Sequence, residues 1–164
     1  MASLQQAISR YTASLSGGEV QRAYKGILSY MSSLQTQLAE LFPTCAGGAL
    51  YQGYLDMTYF ALTPPELREK KLKIALVYLH AEARFELWLA ANNRALQAET
   101  AKRLFTLPLG GYRVTAPAPG VDAIIEKIAL DSPDFDHEDQ MTETLSNAFA
   151  SFSSDMLALT SKLD

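Results

Sequence analysis

Leu4, Ile8, Tyr11 and Leu15 recur at steps of three and four residues until Gly17-Gly18 interrupts them. That spacing predicts a short amphipathic helix. A longer one follows, with Val20, Tyr24, Ile27, Met31, Leu34, Leu38 and Leu41 on one face, closed by Pro43 and Gly47-Gly48. The period then changes. Met57-Thr-Tyr-Phe-Ala-Leu62 is rich in strand formers and stops at Thr63-Pro64-Pro65, where two backbone donors are missing. Leu72 to Leu79 and Arg84 to Leu89 alternate along their length. In the second of these, Phe85, Leu87 and Leu89 point one way and Arg84, Glu86 and Trp88 the other. The pair predicts an antiparallel hairpin across the His80–Ala83 connection.

Asn92 or Asn93 is placed to cap a helix starting near Arg94, with Glu99 and Arg103 at i,i+4, and this helix ends before Pro108 and Gly110-Gly111. Tyr112 to Thr115 suits a short strand, and the stretch from Ala116 to Gly120 a loop. Asp122 to Leu130 fits either period; its three isoleucines and the Asp131-Ser-Pro133 stop favour a strand. Met141, Leu145, Phe149, Phe152, Met156, Leu159 and Leu163 mark a last amphipathic helix, with Asp134, Asp136, Glu138 and Asp139 near its start, where the helix dipole favours negative charge. The order is α-α-β-β-β-α-β-α. It predicts an α+β class with a mainly antiparallel sheet of four or five strands flanked by helices. One domain is expected over residues 1–164: helical at 1–43, sheet with an inserted helix at 49–131, and a C-terminal helix at 134–163.

Composition narrows the chemistry. Cys45 is the only cysteine, so internal disulfides and zinc sites built on cysteine pairs are excluded. It reads best as a small buried hydrophobe. With only His80 and His137, a histidine-rich metal site is excluded too. His80-Ala-Glu82 matches the first fragment of a zinc deaminase motif, but the required downstream cysteine pair is missing. No glycine-rich phosphate loop or nucleophile elbow is present. No apolar run reaches the ~20 residues of a membrane helix, and Met1 to Leu15 lacks the apolar core of a signal peptide. A cytoplasmic protein is expected. The formal net charge of −4 is unevenly spread. Residues 66–113 carry nine positive and five negative side chains, and residues 114–164 carry two positive and ten negative. Either the charges solvate the surface, or the basic stretch forms an anion-binding face.

One polar constellation stands out. Asp56 sits at the head of the first predicted strand and Tyr59 within it, Arg84, Glu86 and Trp88 share one face of the third, and Asn93 and Arg94 open the helix that follows. An acid, a base and an indole do not make an ordinary core face. One reading is an ion pair of Arg84 with Glu86 or Asp56 on a wet sheet surface, covered by Trp88. The other is a pocket in which Arg84 and Arg94 hold an anionic group, Trp88 stacks on it, and Asp56 or Glu86 orients it.

Gly53-Tyr-Leu-Asp-Met-Thr-Tyr-Phe60, Leu72-Lys-Ile-Ala-Leu-Val77, Arg84-Phe-Glu-Leu-Trp-Leu89, Asn93-Arg94 and Ser132-Pro-Asp-Phe-Asp136 resemble an uncharacterised bacterial family of unknown function, over roughly residues 50–160. The resemblance implies a bacterial cytosolic protein and carries no activity. The order α-β-β-β-α-β is in turn similar to the core of the restriction-endonuclease-like fold, whose members bind Mg²⁺ through an Asp on one strand and Glu/Asp-x-Lys on the next. Here Asp56, Glu86-Leu-Trp88 and Gln97 are comparable, but Trp88 stands where the lysine is required. The first expectation is therefore a non-catalytic binding or regulatory module for a small anionic ligand or a protein partner. A degenerate Mg²⁺-dependent nuclease-like enzyme is the second. A scaffold that homodimerises through a terminal helix, using Met31, Phe149, Phe152 and Met156, is the third, against which those residues read more simply as core. No cofactor, membrane or nucleic-acid partner is expected.

Overall fold

A computed structural model describes residues 1–116 and 118–164. Its elements are α1 (Leu4–Ser14), α2 (Glu19–Leu41), β1 (Ala46–Gly47), β2 (Met57–Thr63), α3 (Pro65–Glu69), β3 (Leu72–Leu79), β4 (Arg84–Ala91), α4 (Arg94–Phe105), β5 (Ala123–Leu130) and α5 (Glu138–Ser161). The strands form one antiparallel sheet in sequence order, β1-β2-β3-β4-β5. This is the α+β class that the alternating and helical periods predict. Two short elements escaped them. β1 has two residues, too few to alternate, and α3 has five, started by Pro65 in the first turn, where a missing N–H costs nothing.

One face of the sheet carries Phe60, Leu62, Ile74, Leu76, Tyr78, Phe85, Leu87 and Leu89, all buried. Tyr30, Met31, Leu34 and Leu38 of α2, Leu67 of α3, Ala101 and Leu104 of α4, and the apolar stripe of α5 join them in a single hydrophobic cluster. Met31, Phe149, Phe152 and Met156 are at most 1 % exposed, so they are core rather than a free dimer face. α1 is different: none of its residues is buried, and Leu4, Ile8 and Tyr11 stay exposed.

Several local expectations need correction. Glu99 and Arg103 do not pair; the Arg103 guanidinium instead donates to the carbonyl of Leu163, docking α4 against the end of α5. Tyr112 to Thr115 contributes only one bridge, Val114 to Ile125, because Pro108 and the Gly110-Gly111 turn leave too short a run to pair. α5 begins at Glu138, since Asp134 folds into a turn in which its carboxylate accepts from the backbone N–H of Asp136. Cys45 is half-buried against the core. The loop expected at 116–120 contains residue 117, which lies outside the described residues.

Candidate functional site

Strand alternation gives the sheet a second face bearing Tyr59, Lys73, Ala75, Val77, Glu86, Trp88 and Ala90. Here the side chains shrink in the middle. Ala61 lies beside Ala75, Ala75 beside Trp88, and Lys73 beside Ala90. Small residues flanked by large ones leave a hollow of about 320 Å³, lined in part by Tyr59, Lys73, Trp88, Asn93, Arg94 and Gln97. This is the lower end of the size range of small-molecule sites. Asn93 caps α4 by accepting the Leu96 N–H at 2.8 Å, and so sets the first turn of that helix at the rim.

Glu86 lies beside the hollow and does not line it. Although it is 3 % exposed, both its oxygens are used. Arg84 Nε donates to Oε2 at 2.7 Å and Trp88 Nε1 donates to Oε1 at 2.9 Å. The hydrogen bond from Arg84 and its charge make this an ion pair on the sheet surface, and Glu86 in turn holds the Arg84 guanidinium above its ordinary pKa. The carboxylate thus fixes the indole in place. Glu126, opposite Trp88 in the register, has its carboxyl pushed up by burial and then by the charge of Glu86.

Arg94 is pinned at the rim. It donates to the Val121 carbonyl at 2.6 Å and to Asp122 at 2.9 Å, with a longer contact to Gln97 at 3.3 Å, which leaves part of its five-donor fork free. Lys73 is the cation that the sequence reading passed over. Among the described residues it makes no hydrogen bond or salt bridge, and it projects from the middle of the sheet into the hollow. The alternation of Leu72 to Leu79 already placed it opposite Ile74; the missing signal was that Ala75 and Ala90 would leave space beside it.

Of the expected site residues, Tyr59, Trp88, Asn93 and Arg94 come together around this hollow. Arg84 and Glu86 support it from the adjoining row. Asp56 does not reach it. Its carboxylate accepts the Tyr54 N–H at 2.9 Å inside the turn that precedes β2, and this donor, followed by the backbone N–H of Met57, holds it below the usual carboxylate range. The nuclease-like pairing of Asp56 with Glu86 finds no support in this geometry, since each carboxylate is committed to separate neighbours. Among the described residues, no group of three or more His, Cys, Asp or Glu side chains could hold a metal ion.

His80 is also structural. Thr58 donates its hydroxyl to the Gln52 carbonyl at 2.7 Å, so it must accept from His80 Nε2–H, 2.8 Å away. Tyr24 and Tyr78 pack on the imidazole at 5.7 and 5.0 Å between ring centroids. Burial pushes its pKa down, against a smaller opposing pull from Asp56.

Residues 4–160 match the family described as Domain of unknown function (DUF7000). The chain belongs to that family. The match covers nearly all of the sequence, including every strand and all but the last residue of α5. The DUF7000 assignment agrees with the resemblance to an uncharacterised family and brings no chemistry with it. No curated protein and no solved structure matches the chain, and a likeness of DUF7000 to the restriction-endonuclease-like fold is not shown. No helix among the described residues is long and apolar enough to cross a membrane.

Proposed function

We propose that this protein is a cytosolic ligand-binding module whose open sheet face takes a small planar anion. The observation that carries the reading is Lys73: an ammonium with no partner among the described residues, in a hollow walled by Trp88 and Tyr59. Asp122, which also lines the hollow, pairs with Arg94, so Lys73 is left as the net positive charge there and gains from an anionic guest, to which the remaining donors of Arg94 and the first turn of α4 also point. The guest's flat part stacks on the indole, which Glu86 holds through its N–H. Alanines along the floor leave the depth for a ring.

Trp88 is the only tryptophan, so its emission reports on the site directly. Titration with phenyl phosphate is expected to give a saturable change in fluorescence. Inorganic phosphate, which cannot stack, should bind more weakly. A flat emission trace with phenyl phosphate up to millimolar concentration would overturn the reading.

A further inference from the structure

Tyr78 lies on the core face of β3 and is 5 % exposed, yet its hydroxyl has no hydrogen-bond partner among the described residues. Tyr30, 2 % exposed, shows the usual solution: its hydroxyl meets Thr142 Oγ1 at 3.0 Å. Among the described residues no side-chain oxygen is both sealed from solvent and unpaired. The hydroxyl of Tyr78 is therefore reached by solvent, and Tyr78 lines a cavity of about 410 Å³ between α2 and the start of α5.

The α2 wall of that cavity explains its size. Ala23, Gly26 and Ile27 lie along it, and glycine within a helix is disfavoured unless its lack of a side chain is used. A Cβ at Gly26 would meet nothing within 4 Å, so the cavity is open at this position. Phe135 forms a second wall, its ring edge-on to Tyr78 at 5.7 Å. Among the lining side chains, two carboxylates (Glu19 and Glu138) outnumber one guanidinium (Arg22), which disfavours anions. The chemistry differs from that of the open sheet face.

We propose that the cavity between α2 and α5 binds a small, uncharged, largely aromatic molecule, such as an aryl ketone, whose oxygen replaces water as the acceptor of the Tyr78 hydroxyl, which pairs with no protein group among the described residues. Burial raises the pKa of this phenol, so it is protonated and donates at neutral pH. The rings of Tyr78 and Phe135 receive the aromatic part of the guest, and Ile27 packs against it.

Fluorine NMR of the full chain with 4′-fluoroacetophenone tests the site. Saturable binding is expected with a dissociation constant on the order of 1 mM, reasonable for about ten heavy atoms. Gly26→Leu should fill the cavity and abolish binding while keeping the helix content. Tyr78→Phe should weaken the ketone about 5- to 10-fold and leave fluorobenzene, which has no acceptor oxygen, unchanged. Non-saturable binding to the natural chain overturns the proposal. So does binding that survives Gly26→Leu, or equal weakening of both probes by Tyr78→Phe.

Discussion

The indole N–H of Trp88 donates to Glu86 Oε1 at 2.9 Å from two residues further along the same strand face. The other oxygen of that carboxylate takes Arg84, so one buried acid serves two neighbours. Glu86→Ala would leave the half-buried indole N–H without its acceptor and remove the charge facing Arg84. We expect a loss on the order of 2 kcal/mol. In a domain of this size that lowers Tm by roughly 4–8 °C. The Trp88 emission should also shift to the red as the ring loosens. Thermal denaturation followed by fluorescence measures both; an unchanged Tm would mean that the carboxylate does not hold the ring.

Lys73 separates binding from stability. Among the described residues it has no partner to lose, and its neighbours Ala75 and Ala90 leave room for an apolar replacement. Lys73→Met is expected to keep or slightly raise the stability of the fold. The same substitution should weaken phenyl phosphate about tenfold, the equivalent of roughly 1.4 kcal/mol. Equal affinity in both proteins would remove Lys73 from the site and with it the main support for an anionic ligand.

The large features were legible because burial enforces a period. Phe85, Leu87 and Leu89 face the core, so Arg84, Glu86 and Trp88 had to share the other side, as they do. Asn93 was legible as a cap because few residues accept the free N–H groups of a helix start so well. Lys73 and Asp56 were not, for different reasons. What a lysine on a strand does depends on the size of its lateral neighbours, and that requires the register. What Asp56 does depends on a backbone reversal in which Gly53 and Leu55 both adopt positive φ, which no periodicity announces. A charge next to a strand is ambiguous until its nearest backbone donors are known.

That reversal makes a sharp test. Gly53 has φ +77°, and a Cβ there would come within 1.9 Å of the Met57 carbonyl oxygen. Both strain and collision forbid a side chain, so the turn must open before Gly53→Ala can fold. A loss of at least about 3 kcal/mol is expected. Asp56→Asn, which keeps an acceptor for Tyr54, should be mild by comparison. Urea midpoints of the two variants give the ranking, and a Gly53→Ala protein as stable as the natural chain would refute this account of the turn.

His80 sets the pH response between neutrality and mild acid. Its folded pKa is lowered chiefly by burial, so at pH below about 6.5 the unfolded chain takes up a proton that the folded chain resists. Stability is therefore full above that pH and declines as pH falls toward the lower folded value. Protonation would also place a second N–H on an imidazole packed between Tyr24 and Tyr78, with Thr58 already accepting from Nε2. The carboxylates held below their ordinary range, Asp56 and Asp134, add a loss of their own only near pH 4 and under. A scan from pH 7.5 to 5.5 leaves out those two carboxylates, and comparison with a His80 variant separates His80 from the second histidine, His137, which lies 2.8 Å from Asp134. Urea unfolding of the natural protein is expected to show a falling free energy over this window. His80→Gln retains a donor for Thr58 and cannot titrate, so its profile should be flatter although its starting stability is lower. Parallel profiles would assign the acid sensitivity to another group.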